Sequence, residues 1–291
     1  MTAPRQVLPG TTYLVTRRCT QRMFLLRPSR VVNEVFLYVL ALAAKRYGVK
    51  VHAYCVLSNH YHLVVTDPQA RLPAFQQLLD ALVARALNAL HGRWENFWAT
   101  ASFSAVALAR PEDVVAKAAY TLGNPVAAGL VRRGREWPGL WSSPERTGST
   151  LQVRRPGHFF AEDGSLPESI ELKLAVPPGF SSARGFREAL EVVLAAKEAE
   201  ERGREFLGAR RVQAQRPLDR PRSREPVGKL SPRVAAQDKW KRIELLGRLK
   251  AFLTDYAEAL EAWREKRRRA VFPAGTYLMR VAHGVACAAA G

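Results

Sequence analysis

Two short segments of the chain hold side chains that could share one chemical task. The first is His60-Tyr61-His62. On a β-strand, alternate residues face the same side, so both imidazoles would project together with Cα atoms about 6–7 Å apart. Two imidazoles so placed can grip one metal ion. Taken alone, the same spacing reads rather as two exposed polar side chains on a half-buried strand. The second segment is Tyr120-Thr121-Leu122-Gly123-Asn124-Pro125. A separation of four puts Tyr120 and Asn124 on one helix face. Pro125 disfavours helical backbone at the residue before it, so the helix is expected to end at Asn124. There the amide can reach outward as an oxygen ligand. Taken alone, this is a helix end with a proline stop and an ordinary buried tyrosine.

Together the two segments complete a set. Two imidazoles and one amide oxygen leave coordination positions open for a phosphate oxygen, and the cation would act as a Lewis acid on phosphorus. Tyr120 supplies a phenol that can become covalently linked. A phenol ordinarily titrates at about 10, so its ionisation needs help from a cation or a hydrogen bond. Three ligands would also suit a zinc hydrolase with water as nucleophile, although no acidic residue is placed as its base.

The elements that must position these residues can be read from periodicity. Thr11 to Thr16 is β-branched and aromatic, a first strand. Ser29 can cap a helix running to Gly48, with Val32, Val35, Phe36, Val39, Leu40 and Ala43 at helical spacing. Val51 to Leu57 is a second strand. Ser58-Asn59 makes a tight turn, and His60 to Thr66 is a third strand. Pro73 opens a second helix that Gly92 closes. Phe103 to Leu108 is a fourth strand, and Pro111-Glu112-Asp113 starts a third helix. This order predicts an α+β fold of the ferredoxin-like split βαβ kind: an antiparallel sheet, helices on one face, the other face open for a site. A mainly helical basic C-terminal extension follows.

Four regions are expected. Residues 1–145 form the catalytic unit, and 146–208 an irregular segment with an amphipathic helix from Ala183. Residues 209–237 form a flexible Arg/Pro-rich basic linker, and 238–291 a helical extension. The last contains a long helix, Asp238 to Arg269, with Trp240, Ile243, Leu246, Leu249, Phe252, Tyr256, Leu260 and Trp263 as its apolar stripe. With 45 basic and 26 acidic residues the formal charge is +19, which points to a polyanionic partner. No apolar run reaches the ~18 residues of a membrane span, and a membrane partner is not expected. Cys19, Cys55 and Cys287 form no CxxC pair; three separate thiols suit a reducing cytoplasm, where a DNA-binding protein would associate with the nucleoid.

At this point the residues resemble a known family. Leu8-Pro9-Gly10 with Tyr13-Leu14-Val15-Thr16, and His52 through Val64, resemble the single-tyrosine HUH transposases, in particular the REP-associated tyrosine transposases. Tyr120 through Val131 resembles their catalytic helix and its exit. Trp137-Pro138 and Trp141-Ser142-Ser143 resemble the segment after it. The likeness covers roughly residues 5–145. It implies that Tyr120 attacks a DNA phosphate to leave a 5′-phosphotyrosine and a free 3′-hydroxyl, and that His60, His62 and Asn124 bind Mg²⁺ or Mn²⁺. It implies single-stranded DNA with hairpins or palindromic repeats as partner, and a monomer or homodimer as the working unit. Phe97 to Ser104 lacks the basic residues that the family carries around the fourth strand, which keeps open a second reading: a domesticated, non-cleaving DNA-binding protein. Arg17, Arg18, Arg22, Arg267 and Arg268 are candidate phosphate contacts. Tyr54 and Trp98 are candidate platforms for unpaired bases.

Overall fold

A computed structural model describes residues 4–100, 103–221, 232–265 and 270–289. Arg267 and Arg268, the basic pair expected at the end of the long helix, lie outside the described residues.

The chain begins with strand β1 (Thr11–Arg18), helix α1 (Arg30–Tyr47) and strands β2 (Lys50–Val56) and β3 (His60–Asp67). Helix α2 (Leu72–Leu90), strand β4 (Ser104–Leu108) and helix α3 (Pro111–Ala127) follow. Local chemistry sets most boundaries. Ser29 has extended backbone and its side chain accepts the Val32 amide, while Gly48 ends α1 at φ 68°; glycine takes this left-handed conformation at no steric cost. The Asp67 carboxylate accepts the amides of Gln69 (3.3 Å) and Leu72 (2.6 Å), satisfying donors that the start of α2 leaves open.

The sheet order is β2-β3-β1-β4, with β1 antiparallel to both β3 and β4. This is the split βαβ arrangement that the element order predicts. Strand parity then divides the core. Tyr13, Val15, Tyr61, Leu63 and Val65 pack against Phe36, Val39 and Leu40 of α1 and Phe75, Leu79 and Val83 of α2. Leu14, Val64, Val106 and Leu108 face the other way. A bulge at His52 shifts the β2 register, so that Val51 and Ala53 fall in different clusters.

The second face is not left open as expected. Beyond a hairpin of β5 (Thr150–Arg154) and β6 (Ser169–Lys173), helix α4 (Ala183–Glu200) runs beside α3. Phe186, Leu190 and Leu194 complete an apolar cluster with Val114, Val115, Ala118 and Leu122. At Gly123 the α3 backbone comes close to α4, where a Cβ would stand in ordinary contact with Leu194 Cδ1 at 3.5 Å. Apolar residues on β1, β3 and β4 pointing away from α1 and α2 demand such a cover, because exposing them forfeits about 25 cal/mol per Å².

Of the stretch 209–237 expected as a linker, residues 222–231 lie outside the described residues, and those on either side include two short elements. Helix α5 (Ala209–Ala214) buries Val212, and β7 (Val234–Ala235) adds to β4 as a parallel edge. Helix α6 (Lys239–Arg264) follows, then β8 (Val271–Phe272), α7 (Leu278–His283) and β9 (Ala286–Cys287). This region returns to the N-terminus, where the Val7 amide donates to the Gly275 carbonyl at 2.9 Å. The apolar stripe expected along α6 is only partly buried: Phe252 is covered, whereas Trp240, Ile243 and Leu246 are exposed. Among the described residues, no helix is long and apolar enough to cross a membrane.

Candidate metal and tyrosine centre

His60 and His62 occupy the first turn-proximal positions of β3, with ring centroids 4.8 Å apart. Helix α3 brings the second segment to them. The Tyr120 ring centroid lies 5.2 Å from that of His62, and Asn124 Nδ2 stands 3.2 Å from His62 Nε2. Four residues separated by sixty positions thus meet on the α3 side of the sheet. His62 is buried, and Tyr120 is 41% exposed, so the phenol is open to a large substrate.

One expectation about α3 is corrected. The helix does not end at Asn124; it runs through Pro125 to Ala127. Pro125 has no N–H for the Thr121 carbonyl. Packing against the sheet and α4 holds the helix nonetheless, and the Trp141 indole donates to the neighbouring Leu122 carbonyl at 2.9 Å. Asn124 therefore sits on a fixed helical turn rather than at a frayed end.

The hydrogen bonds fit one tautomer of each ring. Asn59 Nδ2 donates to the Arg22 carbonyl (3.2 Å), which turns Oδ1 toward His60 Nδ1 at 2.7 Å. An amide oxygen only accepts, so His60 carries its proton on Nδ1 and its Nε2 is unprotonated. His62 Nδ1 pairs with Thr16 Oγ1 at 2.7 Å, and Asn124 donates to its Nε2. Both rings thus present a lone pair on Nε2 with Nδ1 tied to an oxygen, the state that a metal-binding imidazole takes. Burial, with the neighbouring His60 and Arg18, holds His62 well below the ordinary imidazole value, so it stays neutral as a ligand must.

These residues fit a divalent cation. Among the described residues no cluster of three His, Cys, Asp or Glu exists, so the third protein ligand would be a neutral carboxamide. A half-turn of the Asn124 amide exchanges Nδ2 for Oδ1 at the same place. Lys117 is a residue that the sequence reading missed. It lies one turn before Tyr120, with Nζ 5.6 Å from the phenol ring centroid. The i, i+3 spacing was the available signal.

The other candidates divide. Arg18 is exposed at the end of β1, in register with His60. Arg22 is half-buried with φ 58°, and its carbonyl serves Asn59. Arg17 is not an outward phosphate contact: its Nε lies 3.3 Å from Asp80 Oδ2, with both side chains about 15% exposed or less. Tyr54 and Trp98 are buried, so neither offers a free ring face. Trp98 Nε1 instead donates to the Asp80 carbonyl at 2.9 Å. Cys19 and Cys55 are buried free thiols, and burial pushes both up.

No family model matches the sequence, and no curated protein matches it. Solved structures are similar. One is described as a REP-associated tyrosine transposase bound to a REP hairpin, at 19% identity and TM-score 0.41, over 48% of this chain and 81% of that one. A second, from Deinococcus radiodurans R1 and assigned as a transposase, shows 20% identity and TM-score 0.30 over 38% of this chain and 88% of that one.

Proposed function

We propose that the chain is a metal-dependent endonuclease and strand transferase for single-stranded DNA carrying hairpins or repeats, working through a 5′-phosphotyrosine in the manner of a transposase. The observation that carries this reading is the meeting of Tyr120, His62 and Asn124 at one end of the sheet. The formal charge of +19 supports a nucleic-acid partner.

In this reading His60, His62 and Asn124 hold Mg²⁺ or Mn²⁺, and Asn59 and Thr16 orient the imidazoles. The bound cation supplies Lewis-acid polarisation of the scissile phosphate. Tyr120 Oη attacks phosphorus; the new O–P bond forms as the P–O3′ bond breaks, and the 3′ oxygen leaves and takes up a proton. The Lys117 ammonium offsets negative charge beside the phenol. Attack by another 3′-hydroxyl reverses the step, releases Tyr120 and joins two strands with no external energy. This is the chemistry of DNA transposition and recombination.

The test is a labelled single-stranded hairpin incubated with Mn²⁺. A protein–DNA adduct that survives denaturation and vanishes in Tyr120→Phe is the expected result. Binding with no adduct in the wild-type chain means a non-cleaving DNA-binding protein. Cleavage that persists in Tyr120→Phe means a hydrolase using water.

A further inference from the structure

Beside the centre lies a second feature that the reaction does not use. A surface cleft of about 430 Å³ is lined by Thr20, Gln21, Met23, Arg93, Trp94, Glu95 and Asn96. Trp94 is 90% exposed, more than any other large apolar side chain among the described residues. A bare indole leaves a ring of roughly 150–250 Å² in water, which a polar residue at a loop tip would avoid.

The segment carrying it is tied down on every side. The Arg93 amide donates to the Asn88 carbonyl at 2.8 Å, Thr20 to Phe97 at 2.9 Å, and Ala99 to Arg18 at 2.9 Å. Asn88 Nδ2 donates to the Glu95 carbonyl at 2.8 Å. The backbone on either side of Trp94 is thus held, and the indole it carries is open to solvent. Under it, Arg93 Nε and Nη2 are buried without a hydrogen-bond partner among the described residues; Nη2 stands 3.6 Å from Glu95 Oε2. Nη1 donates to Met23 Sδ at 3.8 Å, and the guanidinium brings positive charge to the wall of the cleft.

The cleft connects to the metal centre through two residues. Gln21 lines it, and the carbonyl of the next residue, Arg22, holds Asn59, which in turn fixes His60.

We infer that this cleft is a subsite for an unpaired nucleotide, with the base stacked on Trp94 and base or phosphate acceptors directed at Arg93 and Asn96. The inference rests on the single-stranded DNA reading above. Base–aromatic stacking contributes about 1–3 kcal/mol and tolerates any base, whereas a duplex base is already stacked and cannot use the ring.

The test measures binding of three probes: a DNA hairpin without overhang, the same hairpin with a short single-stranded thymidine extension, and the extension rendered abasic. Trp94→Ala is expected to weaken binding of the thymidine-extended hairpin about tenfold, with Trp94→Phe intermediate, and to leave the other two probes unchanged. Because Trp94 is exposed, neither variant should alter the melting temperature. Equal affinity of wild type and Trp94→Ala for the thymidine probe overturns the subsite, even where the Tyr120 adduct still forms. Equal losses for all three probes overturn base stacking in favour of a general surface effect. A Trp94-dependent preference for the unpaired extension with no adduct supports the subsite while the cleavage reading fails. Absence of any DNA binding by the wild-type chain overturns both.

Discussion

Strand β3 carries two polar clusters back to back. On the α2 side, Tyr61 Oη donates to Asp80 Oδ1 at 2.7 Å, Gln76 Nε2 donates to both, and Arg17 closes the group on Asp80 Oδ2. On the α3 side, one residue away in either direction, His60 and His62 face Asn124 and Tyr120. The two are built to opposite ends. The first meets the Asp80 carboxylate from three sides, and the Trp98 indole donates to the Asp80 backbone carbonyl. The second ties each Nδ1 to an oxygen and turns the His62 Nε2 lone pair toward the Asn124 amide, beside a phenol that solvent reaches. A polar group enclosed with its partners fixes a fold, and one whose lone pairs are oriented beside an exposed side chain can do chemistry.

The contrast can be broken by variants on one strand and its neighbours. The largest effect on chemistry is expected from His62→Ala: adduct formation falls by at least about a hundredfold, while stability in urea changes by no more than about 1 kcal/mol. Its counterpart, Asp80→Ala, strands the Arg17 guanidinium and the Tyr61 hydroxyl in the core. It should cost about 3–5 kcal/mol of stability by urea unfolding, with adduct formation per folded molecule unchanged. If Asp80→Ala folds normally and loses activity, or His62→Ala unfolds the chain, the division of labour is wrong.

The pH response sharpens the same comparison. His52 donates from Nδ1 to the Ala175 carbonyl and accepts at Nε2 from Thr66, each at 2.7 Å. Burial lowers it from 6.5 to about 4. The unfolded chain therefore binds a proton there that the folded chain refuses. The contribution of His52 is present above 6.5 and is lost as pH falls toward 4, and the shift corresponds to roughly 3 kcal/mol. Asp80 works the other way, since burial raises its carboxyl to about 6. Subtracting the stability–pH curve of His52→Gln from that of the wild type isolates the histidine part. An NMR titration of the His52 ring near its ordinary value would remove the basis for the prediction.

The smallest effect tests the outer layer of the site. Asn59→Ala frees the His60 tautomer without touching a proposed ligand. Mn²⁺ affinity, followed by electron paramagnetic resonance in the absence of DNA, should fall about 10–100-fold, with the melting temperature nearly constant. Unchanged affinity would mean that the Asn59 bridge does not prepare the ring.

Much of this layout could be read before any coordinates. Ser29 and Gly48 mark the ends of α1 because capping is decided within a few residues. The alternation in β1 and β3 assigns side chains to faces because the strand repeat is local. The spacing of His60 to His62 and of Tyr120 to Asn124 gives each pair its common side for the same reason. The readings that failed all depended on what lies above a residue. Pro125 looked like a stop, but packing on the sheet and α4 carries α3 past it. Arg17 and Arg18 are neighbours in sequence, yet parity turns one inward to Asp80 and leaves the other at the surface. Trp98 and Tyr54 looked available for stacking and are core residues. Trp94 drew no notice and stands in solvent.

The amino-acid sequence on its own thus determined the order of elements, their caps and the pairwise spacing of the reactive side chains, because these follow from short-range backbone geometry. The convergence of the two pairs, the tautomers of the imidazoles and the choice of which indole stays uncovered were decided only when distant elements packed. Burial and hydrogen-bond partnership are properties of neighbours in space, and β3 meets α3 sixty residues after it leaves the turn.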